Sequence, residues 1–509
     1  MAVLGASNLS REELIGRARE MIPTLRERAG ECESLGRILD STNRDFHDAG
    51  FYRMYQPRRY GGLEADFQLQ VDIGAETGQG CGSSTWVLTI LASHSWVTGM
   101  MDERAQDDVW RDDNEALVAN SFPAAGATTE RVKGGYKLNG TWTFSSGIDV
   151  SSWSCLNAMV PSKSGPPIHH FMMVPKSDVR VIDNWDSNGL RGTGSKDIVL
   201  EDVFVPDYRT LNTHKCRGGP TPGSAVNPNP LYKIPLFGGF TMGIIPPAIG
   251  LATGALDVLV KRMTGKVSST GFKLADSQAV QLRLAEAASE IECARLLMNA
   301  DCAEFERYAG SGEEPTDERR VRYRKNAGYA ATLCMRAVDR LLPLVGANGL
   351  GFNDPIQRAW RDVHAVSAHF ALTWDTQATQ YGGVLLGKPP ADPKLETRRG
   401  PAQGGAMAIM VVLFNLKPGV SPEAYERWAR ETDVPSVNAL ASVERFRVYR
   451  SLGLLGSEAK SPYAYMELVE IADLDKLAHD AATERMREIT AQFQTMADNP
   501  IWILLDQFA

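Results

Sequence analysis

The sequence lacks three features that would define its class directly. Its seven cysteines include no C-x-x-C pair, so neither a zinc site nor a disulfide framework is predicted, and we expect reduced, buried thiols in a cytoplasmic protein. The formal net charge is −8 and there is no block of basic residues, which argues against a nucleic-acid surface. The N-terminal stretch has no basic segment followed by an apolar one, so no signal peptide is expected.

A membrane span is also not expected. The apolar run Leu236–Val260 is long enough to cross a bilayer. However, it contains five glycines, the pair Pro246 and Pro247, and the charged residue Asp257. This composition predicts a buried loop that leads into a helix.

The length of 509 residues predicts two or more domains. Helical periodicity dominates residues 1–120, and short alternating runs between Gly and Pro turns mark residues 121–235 as a β-domain. Long amphipathic stretches with short connections return in residues 236–390, which predicts a four-helix bundle. Residues 391–406 are rich in proline, glycine and charge and are predicted to be a linker.

Residues 407–509 are predicted to form a separate domain. Apolar strands and amphipathic helices follow one another in the order βαββαβ, which is typical of a ferredoxin-like α+β fold. Tyr425, Trp428, His479, Tyr463 and Tyr465 are its candidate functional residues, although no pair has a spacing that demands chemistry.

A glycine loop, Gly189–Lys196, runs directly into an alternating strand. Glycines at this density allow a close approach of the backbone to a planar or anionic ligand. The side chains of Arg191, Thr193, Ser195 and Lys196 would then be free to point at that ligand. The loop alone therefore predicts a binding site of unspecified kind.

A second motif combines aromatic and hydroxyl side chains. A predicted strand carries Trp142 and Phe144 and ends in Ser145 and Ser146, just before Gly147. From these residues alone, a Ser-Gly turn that closes a hairpin is the simpler interpretation. The alternative is a small hydroxyl donor held against the edge of a flavin ring beside an aromatic wall.

Histidines supply the remaining candidates. His364 and His369 lie on a predicted helix, Arg358–Thr373, and are five residues apart, so they should not share one substrate face. His94 lies in a nearly all-apolar predicted helix. Taken alone, such histidines are more often hydrogen-bonded core residues than ligands.

In their order along the chain, these motifs resemble the acyl-CoA dehydrogenase superfamily, in the branch that hydroxylates aromatic compounds with reduced flavin. The resemblance implies an N-terminal helical domain, a central β-domain and a helical bundle. It also implies reduced FAD, with FMN as the alternative, and O2 as co-substrate, reacting through a C4a-hydroperoxyflavin. An NAD(P)H-dependent flavin reductase is the expected partner, since no G-x-G-x-x-G motif follows a predicted strand.

The resemblance also implies roles for single residues. Ser146, with Ser145, would bind flavin N5 and O4, Trp142 would wall the ring, His94 would orient the substrate, and His369 would act at the peroxide. The residues expected to hold the nucleotide are Arg191, Thr193, Lys266, Asn348 and Gly349. The position of the dehydrogenase base corresponds to Phe370, which cannot abstract a proton. In contrast to many relatives, which continue with Cys-Asp-His after Ser-Gly, this chain has Ile148, Asp149 and Val150.

The sequence leaves several alternatives open. The substrate is expected to be a small aromatic compound of indole or phenol type, and the chain is expected to form a homo-oligomer, either a tetramer or a dimer. The last domain resembles the dimeric α+β-barrel proteins related to RedY and HapK, and is predicted to be an assembly module or a second, product-processing site. An acyl-CoA dehydrogenase-type oxidoreductase and a non-catalytic flavin-binding scaffold are the alternative functions.

Overall fold

A computed structural model describes residues 9–121, 124–161, 167–268, 270–311, 313–395, 408–440, 442–454, 456, 459–471, 477 and 480–505. The chain divides into two compact units, Met1–Arg398 and Arg399–Ala509. His479 and residues 396–406 of the predicted linker lie outside the described residues. Leu395 is 1% exposed and belongs to the core of the first unit, so this unit extends beyond the predicted linker start at residue 391.

The first unit begins with helices. They are α1 (Arg11–Leu35), α2 (Asp40–Asp48), α3 (Phe67–Thr77), α4 (Gly82–Gly99) and α5 (Glu103–Trp110). Helix α1 starts with a capping box, in which the side chains of Ser10 and Glu13 each bond the other's backbone N–H. Every residue of α4 is buried, as its nearly all-apolar sequence predicts.

Strands follow. They are β1 (Val118–Ser121), β2 (Ala124–Val132), β3 (Gly135–Ser145), β4 (Trp153–Val160), β5 (Ile168–Pro175), β6 (Arg180–Ile182), β7 (Lys196–Pro206) and β8 (Thr210–Asn212). One sheet has the order β1-β4-β5-β8 and another has the order β2-β3-β7-β6. The pairing of β3 with β7 shifts its register between Trp142 and Ser145, and this bulge determines which side chains reach the site.

Helices complete the first unit. They are α6 (Leu236–Gly239), α7 (Pro246–Gly265), α8 (Gln278–Ser311), α9 (Asp317–Val345), α10 (Pro355–Ser367) and α11 (Trp374–Leu385). The apolar run Leu236–Gly265 has a mean hydropathy of 1.7 over its most apolar window, 72% of which is buried inside the protein. It therefore behaves as a core segment. All seven cysteines are free thiols, and Cys293 alone among them is exposed.

The second unit consists of one four-stranded sheet with helices packed on it. Its elements are β9 (Ala408–Leu416), α12 (Pro422–Trp428), a π-helix (Ala429–Asp433), α13 (Val434–Asn438), β10 (Val443–Arg450), β11 (Tyr465–Ile471), α14 (Glu484–Met496) and β12 (Ala497–Leu505). The strands are antiparallel in the order β10-β11-β9-β12. Val412 and Phe414 of β9 pack against Tyr425 and Phe493 of the helices.

Candidate active site

A cavity of about 620 Å³ lies in the first unit. Its walls come from α4, β1, the end of β3, the glycine loop and the segment after α10. Most of the lining surface is apolar, although half of the lining residues are polar or charged, Arg361 among them; an apolar surface with polar groups is typical of a ligand site. Among the described residues that line it, none is Asp or Glu.

One stripe of α4 forms the first wall. Trp86, Ile90 and His94 follow one another at a spacing of four residues and all line the cavity. The Nδ1 atom of His94 lies 2.8 Å from the carbonyl oxygen of Val118, and because a carbonyl only accepts, Nδ1 carries the proton. Burial lowers the pKa of His94 to about 4. The ring is therefore neutral near pH 7, and its Nε2 is a hydrogen-bond acceptor.

His369 also lines the cavity, next to Trp86, but it lies in a turn and not in the predicted helix. Helix α10 ends at Ser367, so His369 lies in the turn that follows and not within a helix. The backbone N–H of Ala371 donates to its Nδ1 over 3.2 Å, which places the proton of the neutral ring on Nε2. Burial, and then the charge of Arg324, lowers the pKa of His369 to about 3. His369 is thus a neutral donor.

The early end of α10 also corrects a second expectation. His364 and His369 both line the cavity, although a continuous helix would direct them about 140° apart. Because the chain turns after Ser367, the helical angle no longer applies to His369. His364 is held through its Nδ1 by the carbonyl oxygen of Trp360 at 2.7 Å.

The bulge in β3 corrects the predicted aromatic wall. Trp142 is 0% exposed and donates its Nε1–H to the carbonyl of Asn157 over 2.8 Å, so it does not line the cavity. Phe144 has a φ of +60°, and this kink turns Phe144 and Ser146 to the cavity while Ser145 stays buried behind them. The aromatic wall is formed by Phe144 and Trp185, whose ring centroids are 6.1 Å apart.

A chain of hydroxyl groups runs along this wall. Trp86 Nε1–H donates to Ser146 Oγ over 3.1 Å, and Ser146 Oγ lies 2.7 Å from Ser195 Oγ. Ser195 Oγ is 2.7 Å from Thr193 Oγ1, which donates to the carbonyl of Leu190. Since the indole only donates and the carbonyl only accepts, each hydroxyl donates to the next one in this order. Ser146 therefore offers a lone pair, and not its proton, to a ligand.

Two glycines of the loop are required by close packing within the protein, and one of them, Gly189, also lines the cavity. A Cβ on Gly189 would lie 2.2 Å from the carbonyl oxygen of Arg361, and one on Gly192 would lie 2.3 Å from Cys32 Sγ. Both cations that the sequence predicted to be free are ion-paired. Arg191 contacts Asp186, and Lys196 contacts Asp149 and Asp183. Of the four predicted polar side chains, only Thr193 and Ser195 line the cavity.

Two other predicted nucleotide ligands, Lys266 and Gly349, are not among the described residues that line the cavity. Lys266 is exposed directly after α7, and Gly349 lies in the turn Ala347–Leu350. The side chain of Asn348 is outside the described part of the structure.

Asn120 is a cavity residue that the sequence did not reveal. It is 6% exposed, lines the cavity, and its Oδ1 has no hydrogen-bond partner. A buried acceptor without a partner is costly and indicates a ligand that donates to it. Trp86 and Ile90 were also missed, although the spacing of four residues from His94 would have indicated both. No sequence signal distinguished Asn120.

Comparison with known proteins identifies a separate family match in each of the two units. The family "Acyl-CoA dehydrogenase, C-terminal domain" matches residues 242–374, and the family "REDY-like protein HapK" matches residues 408–508. The oxygenase subunit HsaA of a flavin-dependent monooxygenase from Rhodococcus jostii (strain RHA1) is 36% identical over 73% of this chain and 98% of its own. The oxygenase component of FADH2-dependent resorcinol hydroxylase from Rhizobium sp. (strain MTP-10005) is 33% identical over 74% of this chain and 95% of its own.

Solved structures give the same result. The 3-HSA hydroxylase from Rhodococcus sp. RHA1 aligns with a TM-score of 0.72 at 34% identity, over 75% of this chain and 98% of its own. XiaF from Streptomyces sp., in complex with FADH2 and glycerol, aligns with a TM-score of 0.69 at 26% identity, over 75% of this chain and 97% of its own. The fold and the cavity thus define a flavoprotein of acyl-CoA dehydrogenase type. The chain belongs to the oxygenase components of two-component flavin-dependent monooxygenases, whose characterised members hydroxylate aromatic compounds.

The cavity fits the reduced flavin that this family uses. A reduced flavin ring carries N–H groups, and the site offers two acceptors for them or for a substrate, the lone pair of Ser146 Oγ and the unpartnered Oδ1 of Asn120. The aromatic side chains Trp86, Phe144 and Trp185 provide flat surfaces for ring stacking.

Proposed function

We propose that this chain hydroxylates a small aromatic compound of phenol or indole type, using O2 and reduced FAD delivered by a separate NAD(P)H-dependent reductase. The observation that carries the proposal is the pair of neutral histidines, His94 and His369, in a largely apolar cavity whose described lining contains no carboxylate. Without a carboxylate base, an acyl-CoA dehydrogenase reaction has no group to remove the α-proton of its substrate.

Each cavity residue then has a distinct task. Reduced flavin, when bound, supplies the electrons that activate O2. Ser146 accepts a hydrogen bond from the ring edge, and Ser195 and Thr193 hold the Ser146 hydroxyl in that orientation. His369 donates from Nε2 to the oxygen that develops negative charge. His94 accepts from the hydroxyl or N–H group of the substrate and thereby increases the electron density of its ring.

FAD is favoured over FMN by two relatives above 25% identity whose names give a flavin, whereas the FMN complexes of KijD3 and TdsC are only 21% and 18% identical to this chain. The resorcinol hydroxylase component is described as FADH2-dependent and is 33% identical to this chain, and XiaF binds FADH2. The same relatives support both substrate types, because p-hydroxyphenylacetate 3-hydroxylase and indole-3-acetate monooxygenase are each 27% identical to this chain.

We further propose that the nucleotide end of the flavin is held by a second copy of the chain in a homo-oligomer. Lys266 and Gly349, which lie away from the cavity, are flanked by large exposed apolar side chains. Val267 is 53% exposed, Phe272 49%, Leu350 70% and Phe352 63%. Exposed apolar clusters of this kind mark protein interfaces, so an interface here would bring Lys266, Asn348 and Gly349 to the flavin of a neighbouring subunit.

For the second unit we propose a ferredoxin-like domain at residues 407–509 that contributes to assembly. Its antiparallel order β10-β11-β9-β12 agrees with the βαββαβ sequence pattern. Residues Ile501–Leu505 of the edge strand β12 are exposed and apolar. An edge strand of this kind promotes aggregation unless another surface covers it. The domain bounds 1–120 and 121–235 are likewise proposed for the first unit, followed by a helical bundle that starts at residue 236 and includes Leu395.

The decisive experiment supplies the purified chain with enzymatically reduced FAD, O2 and a panel of phenols and indoles. Mass spectrometry should detect products heavier by one oxygen atom, labelled when 18O2 is used. Anaerobic reduction of bound flavin by an acyl-CoA, without oxygenation of any aromatic, would instead support the dehydrogenase alternative. Binding of flavin without oxygenation of any aromatic compound would support the flavin-binding scaffold alternative.

A further inference from the structure

A second cavity, of about 530 Å³, lies within the second unit. It is enclosed by α12 and the π-helix on one side and by β10 on the other. Aromatic and apolar side chains provide most of its walls, among them Tyr425, Phe446, Val448 and Tyr465. Its size and composition match those of a small-molecule site.

A buried proton-carrying pair lies in the wall of this cavity. Tyr425 lines the cavity and donates its hydroxyl proton to Glu467 Oε1 over 2.8 Å. Glu467 is 4% exposed. Burial, and then the charge of Asp433, raises the pKa of Glu467 to about 8, so this carboxyl group holds a proton near pH 7. Apolar residues at these two positions would stabilise the core at least as well, and the presence of the pair therefore indicates a function.

One feature of the cavity wall indicates a ligand. The Nε–H of the cavity residue Arg447 is buried without a partner, although its Nη2 is ion-paired with Glu470. Asp433, the last residue of the π-helix, is 5% exposed and does not line the cavity. A π-turn within a helix is frequently found at functional sites, and an unpaired guanidinium N–H suits an oxygen that gains negative charge.

We propose that the second unit carries a separate proton-transfer site that binds hydroxylated aromatic compounds and interconverts their enol and keto forms. The proposal rests on the proposed function, because hydroxylation in the first unit would generate compounds of this class. Tyr425 is the group that contacts the ligand, Glu467 is the proton store behind it, and Arg447 holds the ligand oxygen.

The reaction is balanced without any redox partner. Glu467, which already holds a proton, passes it to the Tyr425 oxygen as the Tyr425 hydroxyl proton passes to the ring carbon and forms a C–H bond. The ring electrons move to form a C=O bond, the ligand O–H bond breaks, and its proton returns through Tyr425 to the Glu467 carboxylate. The reverse sequence restores the aromatic ring, so repeated turnover in D2O exchanges ring hydrogen for deuterium.

The test uses the full chain in D2O under argon, without flavin, and the preformed probes resorcinol and 3-hydroxyindole. NMR should show ring deuteration of at least one probe about 10²-fold faster than in buffer, the lower range of general acid–base catalysis. Glu467→Gln should abolish the acceleration but retain probe binding by calorimetry, because the amide oxygen still accepts from Tyr425. Tyr425→Phe should also abolish it.

The exposed residue Glu444 of the same domain provides the matched control, and Glu444→Gln should exchange like the parent chain. Exchange no faster than in buffer for both probes would overturn the proposal, as would an unchanged rate in Glu467→Gln. The result is independent of hydroxylation in the first unit, since the probes already carry the hydroxyl group and neither flavin nor O2 is present.

Discussion

His94 and His369 line one cavity with opposite hydrogen-bonding character. The Nδ1 of His94 donates to the backbone carbonyl of Val118, whereas the Nδ1 of His369 accepts from the backbone N–H of Ala371. Two neutral imidazoles therefore present an acceptor and a donor to the same space. A site that must bind a substrate hydroxyl and stabilise a developing oxyanion needs both.

The donor role of His369 is tested by His369→Ala. We expect flavin binding to persist, product formation to fall by about 10²-fold, and hydrogen peroxide release to rise, since a lost oxyanion donor costs roughly this factor. Product and peroxide are measured together for each reduced flavin consumed. His47→Gln, far from the lining residues, is the control and should retain coupling. Unchanged coupling in His369→Ala would remove this residue from the mechanism.

The two adjacent serines should behave differently. Ser146 Oγ belongs to the hydroxyl chain and faces the cavity, whereas Ser145 Oγ is buried without a partner. Ser146→Ala should weaken reduced-flavin binding by about 10-fold, which corresponds to roughly one hydrogen bond. Ser145→Ala should leave flavin affinity unchanged and raise the melting temperature, because it removes an unsatisfied buried group. Equal flavin affinities for the two variants would contradict this assignment.

Asn120 should determine recognition of polar substrates or of the flavin edge. Replacing it with leucine removes the unpartnered Oδ1, so Asn120→Leu should increase the melting temperature of the ligand-free protein. It should raise the KM for a phenolic substrate, or the Kd for reduced flavin, by about 10-fold. Asn157 also has an unpartnered Oδ1 but does not line the cavity; Asn157→Leu should change neither the KM nor the Kd.

Asp362 should make stability depend on pH. It is fully buried and accepts the backbone N–H of Leu190 over 2.6 Å. Burial raises the pKa of Asp362 to about 7 from an ordinary value near 4. Between these values the native state binds a proton that the unfolded chain has lost, so the contribution of this group to stability falls as pH rises.

Asp362→Asn removes this titration and should keep the contact with Leu190. The difference between the melting temperature of the variant and that of the parent chain should therefore be several degrees more positive at pH 8 than at pH 5. The exposed substitution Asp375→Asn is the control and should show no such difference. The opposite sign in Asp362→Asn would mean that Asp362 is ionised in the native protein at pH 5.

The assembly role of the second unit is tested by a shortened chain that ends at Arg398, where the first compact unit ends. We expect the first unit to remain folded, because Leu395 and its core contacts are retained. Loss of oligomeric mass in light scattering would support the assembly role. An intact oligomer with unchanged hydroxylation would show that the second unit is not required for assembly.

The sequence by itself determined the class of fold and the chemistry of the main residues. The spacing of apolar residues, every three to four positions in the helices and every second position in the strands, distinguishes the helical segments from the β-region. The buried α4, the capping box at Ser10 and the free cysteines follow from composition and local spacing in the same way. His94, Ser146 and His369, all three selected from the sequence, lie at one cavity.

Only the tertiary structure decided which neighbours face the ligand. A bulge turns Phe144 and Ser146 to the cavity and leaves Trp142 in the core, and the early end of α10 brings His364 and His369 to the same space. Neither break in periodicity has a local signature, since both depend on contacts between distant segments. For the same reason, the close packing of Gly189 against α10 and of Gly192 against α1 could not be predicted.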